Sequence, residues 1–288
     1  MNWIILSILT ALFSALKDIW SKFLFGSSDD VLVQAFFLSA IPAPIFGIMV
    51  CFNGMPPIGE NFIFALVAGS MLNIVAVISY LKAVKESDIS LVVPLVALSP
   101  IFMLMTSPLI LGEMPDKVGS IGILLIVIGT YMLNIKREKG FFYPFKALWH
   151  DNGARYMLLT ALIWSISANF DKMGVINSSP IFWGFSIELG IATLIFILML
   201  YNIGEHKTEI IKNFGSLSIL GTLHGAMIFF QMFAVSVTLV AYVIAIKRIS
   251  VLIVVIAGYL FFREKGIKER IIGSILMIMG FILITVFK

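Results

Sequence analysis

Lys247 and Arg248 stand side by side in "VIAIKRISVLIVV", Val243 to Val255, an otherwise apolar run. Lysine offers a compact positive charge and arginine a planar fork of donors, a pair suited to holding a carboxylate or a phosphate. Glu188 is the one charged residue of another apolar run, with no basic residue three or four positions away. It either pairs with a cation on a different segment, Lys247 and Arg248 among them, or takes up a proton. Asn73 and Tyr80 lie seven residues apart, as do His224 and Gln231. On helices each pair shares a face. These four residues read either as the walls of a solute cavity or as ordinary hydrogen bonding between helices. His224 also brings a group that titrates near neutral pH. Asp18 has Lys17 beside it and Lys22 four residues on. An ion pair that neutralises itself near a helix end is expected there.

The elements that must position these residues are hydrophobic helices. The chain has 288 residues, 60% hydrophobic and 12% charged, with a mean hydropathy of +1.06. A soluble domain carries about 25% charged residues, so lipid is the fitting solvent. About 20 apolar residues cross the hydrocarbon as a helix, and ten runs qualify. They are Trp3–Phe25, Val31–Phe52, Phe62–Val84, Ser90–Leu111, Val118–Ile135, Arg155–Val175, Ile181–Tyr201, Phe214–Thr238, Val240–Phe262 and Ile267–Phe287. Between the fifth and sixth lies "KREKGFFYPFKALWHDNG", the long polar connection, expected to lie on the surface between two halves. The start, "MNWIILSILT", lacks a basic segment and reads as a retained first span rather than a cleaved signal. The ninth run places the two cations at depth. A helix beginning at Ile249 would keep only 14 residues to Phe262, too few to cross. Counted from Val240, Lys247 then lies about 10 Å along the span. The pair either lines a broad wet cavity or snorkels to headgroups.

The net charge of +4 does not indicate nucleic acid, because the basic residues sit in short connections between apolar runs. A single cysteine, Cys51, excludes an internal disulfide, and no His/Cys cluster suggests a metal. No cofactor is implied.

The chain repeats itself. At a shift of 151 residues Glu113 falls on Glu264, Lys117 on Lys268, Gly122 on Gly273, Gly129 on Gly280 and Ser99 on Ser250. Near the start the shift is 150, with Thr10–Leu12 on Thr160–Leu162 and Lys22 on Lys172, so one single-residue indel separates the two registers. Carried through at 151, Asn73 and Tyr80 meet His224 and Gln231, whereas Lys247 and Arg248 meet Val96 and Ala97. The basic pair therefore belongs to one half only. Residues 1–137 and 153–288 are the expected repeats, with 138–152 as linker. Five spans is an odd number, so tandem halves enter the membrane oppositely, which is the inverted-repeat plan of many transporters.

These features resemble the drug/metabolite transporter superfamily in its ten-helix form with two EamA-type repeats. The resemblance rests on the duplicated unit and on the ends of the fourth and ninth spans, "LILGEMP" and "LFFREKG". It rests as well on the glycine-bearing last spans, "GSIGILLIVIGTYML" and "RIIGSILMIMGFILI". Arg263 replaces the usual glycine of the Gly-Glu pair in the second half. The resemblance implies an all-α membrane protein with ten transmembrane helices as two inverted five-helix repeats. It implies a carrier of small organic solutes by alternating access, without naming the solute. Within the superfamily, a Lys-Arg pair on the ninth helix resembles the phosphate grip of organic-phosphate carriers, a likeness that reaches Lys247 and Arg248 alone.

Pro94, Pro100 and Pro108 fall in the fourth span, marking it as the kinked, gate-forming helix. Gly122, Gly129, Gly273 and Gly280 permit close packing. Fourteen Lys and Arg lie on one set of connections against three on the other. That bias puts the termini outside, whereas the family expectation puts them inside. No HExxH, GxSxG or paired carboxylates in a span suggest catalysis. A flippase for a lipid or lipid-linked phosphate, or a drug or amino-acid exporter, is the alternative use of the same scaffold. The expected setting is the cell membrane, crossed many times, with a small-molecule substrate and the lipid bilayer as partners, no nucleic acid, and a monomer or homodimer.

Overall fold

The computed structural model describes residues 2–24, 30–87, 94–134, 142–262 and 267–286. No strand occurs among them. The helices are α1 (Trp3–Leu24), α2 (Val31–Ala40), α3 (Pro42–Asn53), α4 (Phe62–Glu86), α5 (Ser99–Leu111), α6 (Lys117–Asn134), α7 (Tyr143–Ala147), α8 (Asn152–Ile176), α9 (Pro180–Met199), α10 (Ile203–Val237), α11 (Val240–Lys247), α12 (Ile249–Phe262) and α13 (Ile267–Val286). Among the described residues six stretches are long and apolar enough to cross a bilayer: Trp3–Ser21, Leu32–Asn53, Phe62–Tyr80, Pro94–Leu111, Pro180–Met199 and His206–Val237. Lys117–Leu133 and Ile271–Val286 are shorter apolar helices.

The two other expected spans are helical but compromised, each for a physical reason. α8 is long enough, yet it carries Ser165, Ser167, Asn169, Asp171 and Lys172. The ninth span is divided at Arg248 into α11 and α12. α10 also differs from expectation, with 35 residues, about 52 Å at 1.5 Å per residue. Its first turns contain Lys207, Glu209 and Lys212, strong helix formers that continue the helix past the apolar stretch. Polarity ended the predicted span there and did not end the helix.

The chain forms two compact units, Met1–Ile74 with Phe170–Val237, and Val75–Asn169 with Thr238–Lys288. Each draws on both halves of the sequence, so the compact units and the sequence repeats are different partitions. In the first unit α1 runs antiparallel to α10. Trp20 Nε1 donates to the Ser216 carbonyl at 3.0 Å, and Phe13 stacks on Phe230. The second span, α2 and α3 joined at Ile41–Pro42, runs antiparallel to α9, with Phe36 near Phe196 at one end. At the other end the contact is reciprocal: the Phe46 ring sits over Gly184 and the Phe185 ring over Gly47, each 3.1 Å from where a Cβ would be. Asp30 caps α2 by accepting from Leu32 and Val33 N–H, satisfying donors the helix cannot.

In the second unit the last helices of the two halves, α6 and α13, cross antiparallel. A Cβ on Gly122 would lie 2.9 Å from the Gly280 carbonyl oxygen, and one on Gly129 would lie 2.5 Å from that of Gly273. The two contacts exchange under the 151-residue shift, because Gly122 maps to Gly273 and Gly280 maps to Gly129. A helix that meets its own repeat mate head to tail through a self-complementary contact is the local mark of inverted duplication. A related echo occurs in aromatic packing. The Tyr80 ring of α4 lies tilted against Trp164 of α8, centroids 5.7 Å apart, in the place where Phe230 stacks on Phe13 in the first unit.

Gly129→Val places a branched side chain against backbone, which cannot give way as a flexible side chain can. We expect a loss of about 1–3 kcal/mol, read as a lower unfolding midpoint in detergent. Gly215→Ala, at a position with nothing within 4 Å of its Cβ, leaves that midpoint unchanged or raised.

Candidate functional site

Two polar centres stand out, one in each unit. The second unit holds Lys247 and Arg248. Arg248 occupies the break between α11 and α12, in the right-handed helical region, and the ladder tightens around it. Its N–H bonds the Ala245 carbonyl and its carbonyl accepts from Val251 N–H, both at 3.0 Å. These are i to i+3 bonds, one residue shorter than the α-helical step. The first half breaks in the same way. Leu98 N–H bonds the Leu95 carbonyl at 3.1 Å and its carbonyl accepts from Ile101 N–H at 2.9 Å. Every member of the second set is the first shifted by 150. The break thus sets Lys247 and Arg248 against Ala97 and Leu98, one residue along from the expected Val96 and Ala97. The one-residue indel therefore lies beyond the break. The pairings of Ser99 with Ser250, Asn73 with His224 and Tyr80 with Gln231 dissolve, while the one-sidedness of the charges stands. Both spans are broken although only the fourth contains proline.

The prolines explain what Arg248 touches. Pro100 lies in the first turn of α5 and has no N–H to give to the Val96 carbonyl four residues before it. An Arg248 terminal guanidinium nitrogen, Nη2, donates to that carbonyl at 3.2 Å and also to Ser99 Oγ. A side chain from the second half thus replaces the backbone donor that proline removes from the first. Pro94 opens the helical residues 94–96 ahead of the break, and Pro108 sits inside α5. Lys247 is half-buried as the last residue of α11.

The far end of α5 is tied to the start of α11. Gly112 adopts φ +67° and ends the helix. Glu113 Oε2 then accepts from Val240 N–H at 3.3 Å, capping the first turn of α11. Asp116 caps α6 through Gly119 N–H at 2.8 Å and accepts from the Tyr242 hydroxyl at 3.0 Å. Tyr242 packs so closely on Gly119 that no Cβ fits. Glu264, the sequence mate of Glu113, lies outside the described residues.

The first unit holds the other centre. Glu188 is 2% exposed, and its Oε1 lies 3.5 Å from His224 Nε2. Its described partner is therefore His224. Asn73 donates to the Gly69 carbonyl of its own helix at 2.9 Å, and Gln231 is buried on α10. Of the four residues expected to share a wall, Asn73, His224 and Gln231 belong to the first unit. Tyr80 belongs to the second, with its ring engaged by Trp164. Lys17 Nζ pairs with Asp18 at 3.1 Å; the side chain of Lys22 lies outside the described residues.

A family model described as the EamA-like transporter family matches residues 1–135 and 152–286. The chain belongs to the EamA-like transporter family. It is a multi-pass, all-α membrane protein and a transporter of the drug/metabolite type, in a family of ten helices in two repeats. No curated protein matches the sequence. A crystal structure of another protein superposes with a TM-score of 0.74 over 99% of this chain and 97% of its own, at 16% identity. That likeness is one of fold.

Sequence reasoning assigned no site role to "ANFDKMG", Ala168–Gly174, in this EamA-like transporter. The structure buries its Asn169 and Lys172 and half-buries its Asp171. Asn169 donates to Thr106 Oγ1 at 3.1 Å and to the Ser165 carbonyl at 2.7 Å. Asp171 accepts from Trp183 Nε1 at 3.1 Å, and Lys172 is buried. The available signal was the spacing of Ser165, Asn169 and Lys172, four and then three apart, which puts them on one helical face.

Arg248→Ala leaves the Val96 carbonyl without its substitute donor. We expect a loss of about 1–3 kcal/mol. In a Pro100→Ala background α5 supplies its own N–H, so the same substitution costs less. A double-mutant cycle on unfolding midpoints measures the difference, and equal losses in both backgrounds contradict the replacement.

Proposed function

We propose that the chain is a secondary carrier that moves a small organic solute bearing a carboxylate or phosphate across the cell membrane by alternating access. Lys247 and Arg248 grip the anionic end. Two repeats, 1–137 and 153–288, joined by 138–152, supply the opposed halves. The observation that carries the anion preference is the position of the basic pair at a break within a span. Two cations of different shape meet there at the start of α12, whose first turn adds the positive end of a helix dipole. Broken helices with such ends are a recurring way to hold an anionic group at depth.

The contacts of Arg248 with Val96 and Ser99 support a binding cycle. Both are neutral acceptors, and a bond to an ionised acceptor is stronger. An arriving carboxylate or phosphate competes for the guanidinium. Drawing Arg248 away loosens the tie between the two broken spans, so solute binding and rearrangement share one side chain. Apolar residues fill the corresponding places of the first half, which gives the solute one anionic end and leaves its remainder to neutral contacts.

The test is a thermal-shift screen of the purified protein against sugar phosphates, nucleotide sugars, amino acids and amphipathic cations. The expected result is stabilisation by a phosphate or carboxylate compound. Its affinity falls at least tenfold, about 1.4 kcal/mol, in Lys247→Ala and Arg248→Ala. Arg248→Lys keeps the charge without the fork and recovers only part of it. Stabilisation confined to amphipathic cations, or full anion affinity in the double variant, contradicts the reading.

A further inference from the structure

Glu188 is the one charged residue of α9, and His224 is the one titratable residue in the apolar part of α10. They face each other at 3.5 Å between Oε1 and Nε2. The other carboxylate oxygen, Oε2, is buried and has no hydrogen-bond partner among the described residues. The elements packed around α9 add little charge. α2 has no ionisable residue and α3 has only the exposed Cys51. The part of α4 in this unit, residues 62–74, has none, although its Gly69 and Ser70 press on Ile187 and Gly190. α1 brings Lys17 and Asp18, which pair with each other, and Lys22, whose side chain lies outside the described residues. Asp30 pairs with His206 at the other end of α10. α8 brings Asp171, engaged by Trp183, and the buried Lys172.

A carboxylate in such a setting is costly unless a positive charge neutralises it. Histidine supplies that charge only when it holds a proton. The 3.5 Å separation is longer than a good hydrogen bond, so the two groups are near enough to feel each other's charge without being locked.

We infer that Glu188 and His224 together form a proton-binding site. One proton taken from water converts a carboxylate beside a neutral imidazole into a pair of zero net charge, the proton residing on His224 Nε2 and facing the Glu188 carboxylate. Releasing it restores the net negative pair. The consequence for transport rests on the carrier reading. A neutral pair tolerates rearrangement in apolar surroundings better than a net negative one, so loading the pair lets a proton gradient drive solute movement.

The chain has three histidines, which makes the site readable without a solute. Protein labelled with nitrogen-15 only at histidine is titrated in lipid from about pH 5 to pH 9, spanning the unperturbed histidine range. His224→Gln assigns the resonance. The expected result is a His224 signal that titrates within this window, with proton binding weakened about tenfold or more in Glu188→Gln. A His224 that never changes protonation state, or one indifferent to Glu188→Gln, overturns the inference. If Glu188→Gln does not fold, the carboxyl infrared bands of wild type and His224→Gln decide. A Glu188 band whose pH dependence changes supports the shared site, and an unchanged one overturns it. Neither measurement involves Lys247, Arg248 or a solute. Failure here leaves the anion-carrier reading standing, and failure of the binding screen leaves the proton site standing.

Discussion

A carbonyl group surrounded by apolar side chains must be given a donor, and in lipid there is no water to supply one. That constraint organises the second unit. Pro100 withholds an N–H from Val96, and the guanidinium of Arg248 makes good the deficit. The charge is held in place by the same bond. A lone buried cation would be expensive, whereas one that donates to a stranded carbonyl and to Ser99 is anchored by acceptors that themselves need it. Break and charge are two aspects of one arrangement.

The second organising feature is close approach without side chains. α6 and α13 cross where glycine meets glycine, with carbonyl oxygens 2.5–2.9 Å from where Cβ atoms would be. In the first unit Phe46 and Phe185 lie on each other's facing glycines. In lipid, helices gain nothing by hiding from water that is not there, so association depends on van der Waals fit. Reciprocal contacts of this kind are economical for a duplicated sequence, since one solution serves two places at once.

The halves share a backbone plan and differ in chemistry. Both fourth spans break with the same hydrogen-bond pattern, yet only the second carries charge. Glu188 meets a histidine from a neighbouring helix of the first unit. Positive and negative specialisations therefore sit in different compact units, and each is completed by residues distant in sequence. Val96 and Ser99 complete one, and His224 completes the other.

Helix content, membrane setting, duplication and the odd placement of Lys247, Arg248 and Glu188 were legible in the residues themselves. Hydrophobic run length, glycine spacing and isolated charges are local signals that survive without coordinates. The break at Arg248 was not legible, because no proline marks it. The helical start of α10 was not legible either, because charge bounds a span and does not end a helix. The partners of the charges belonged to tertiary structure alone. Which helix faces Glu188, or which carbonyl receives Arg248, depends on how helices rotate and pack, and periodicity along one chain fixes a face without naming what lies opposite it.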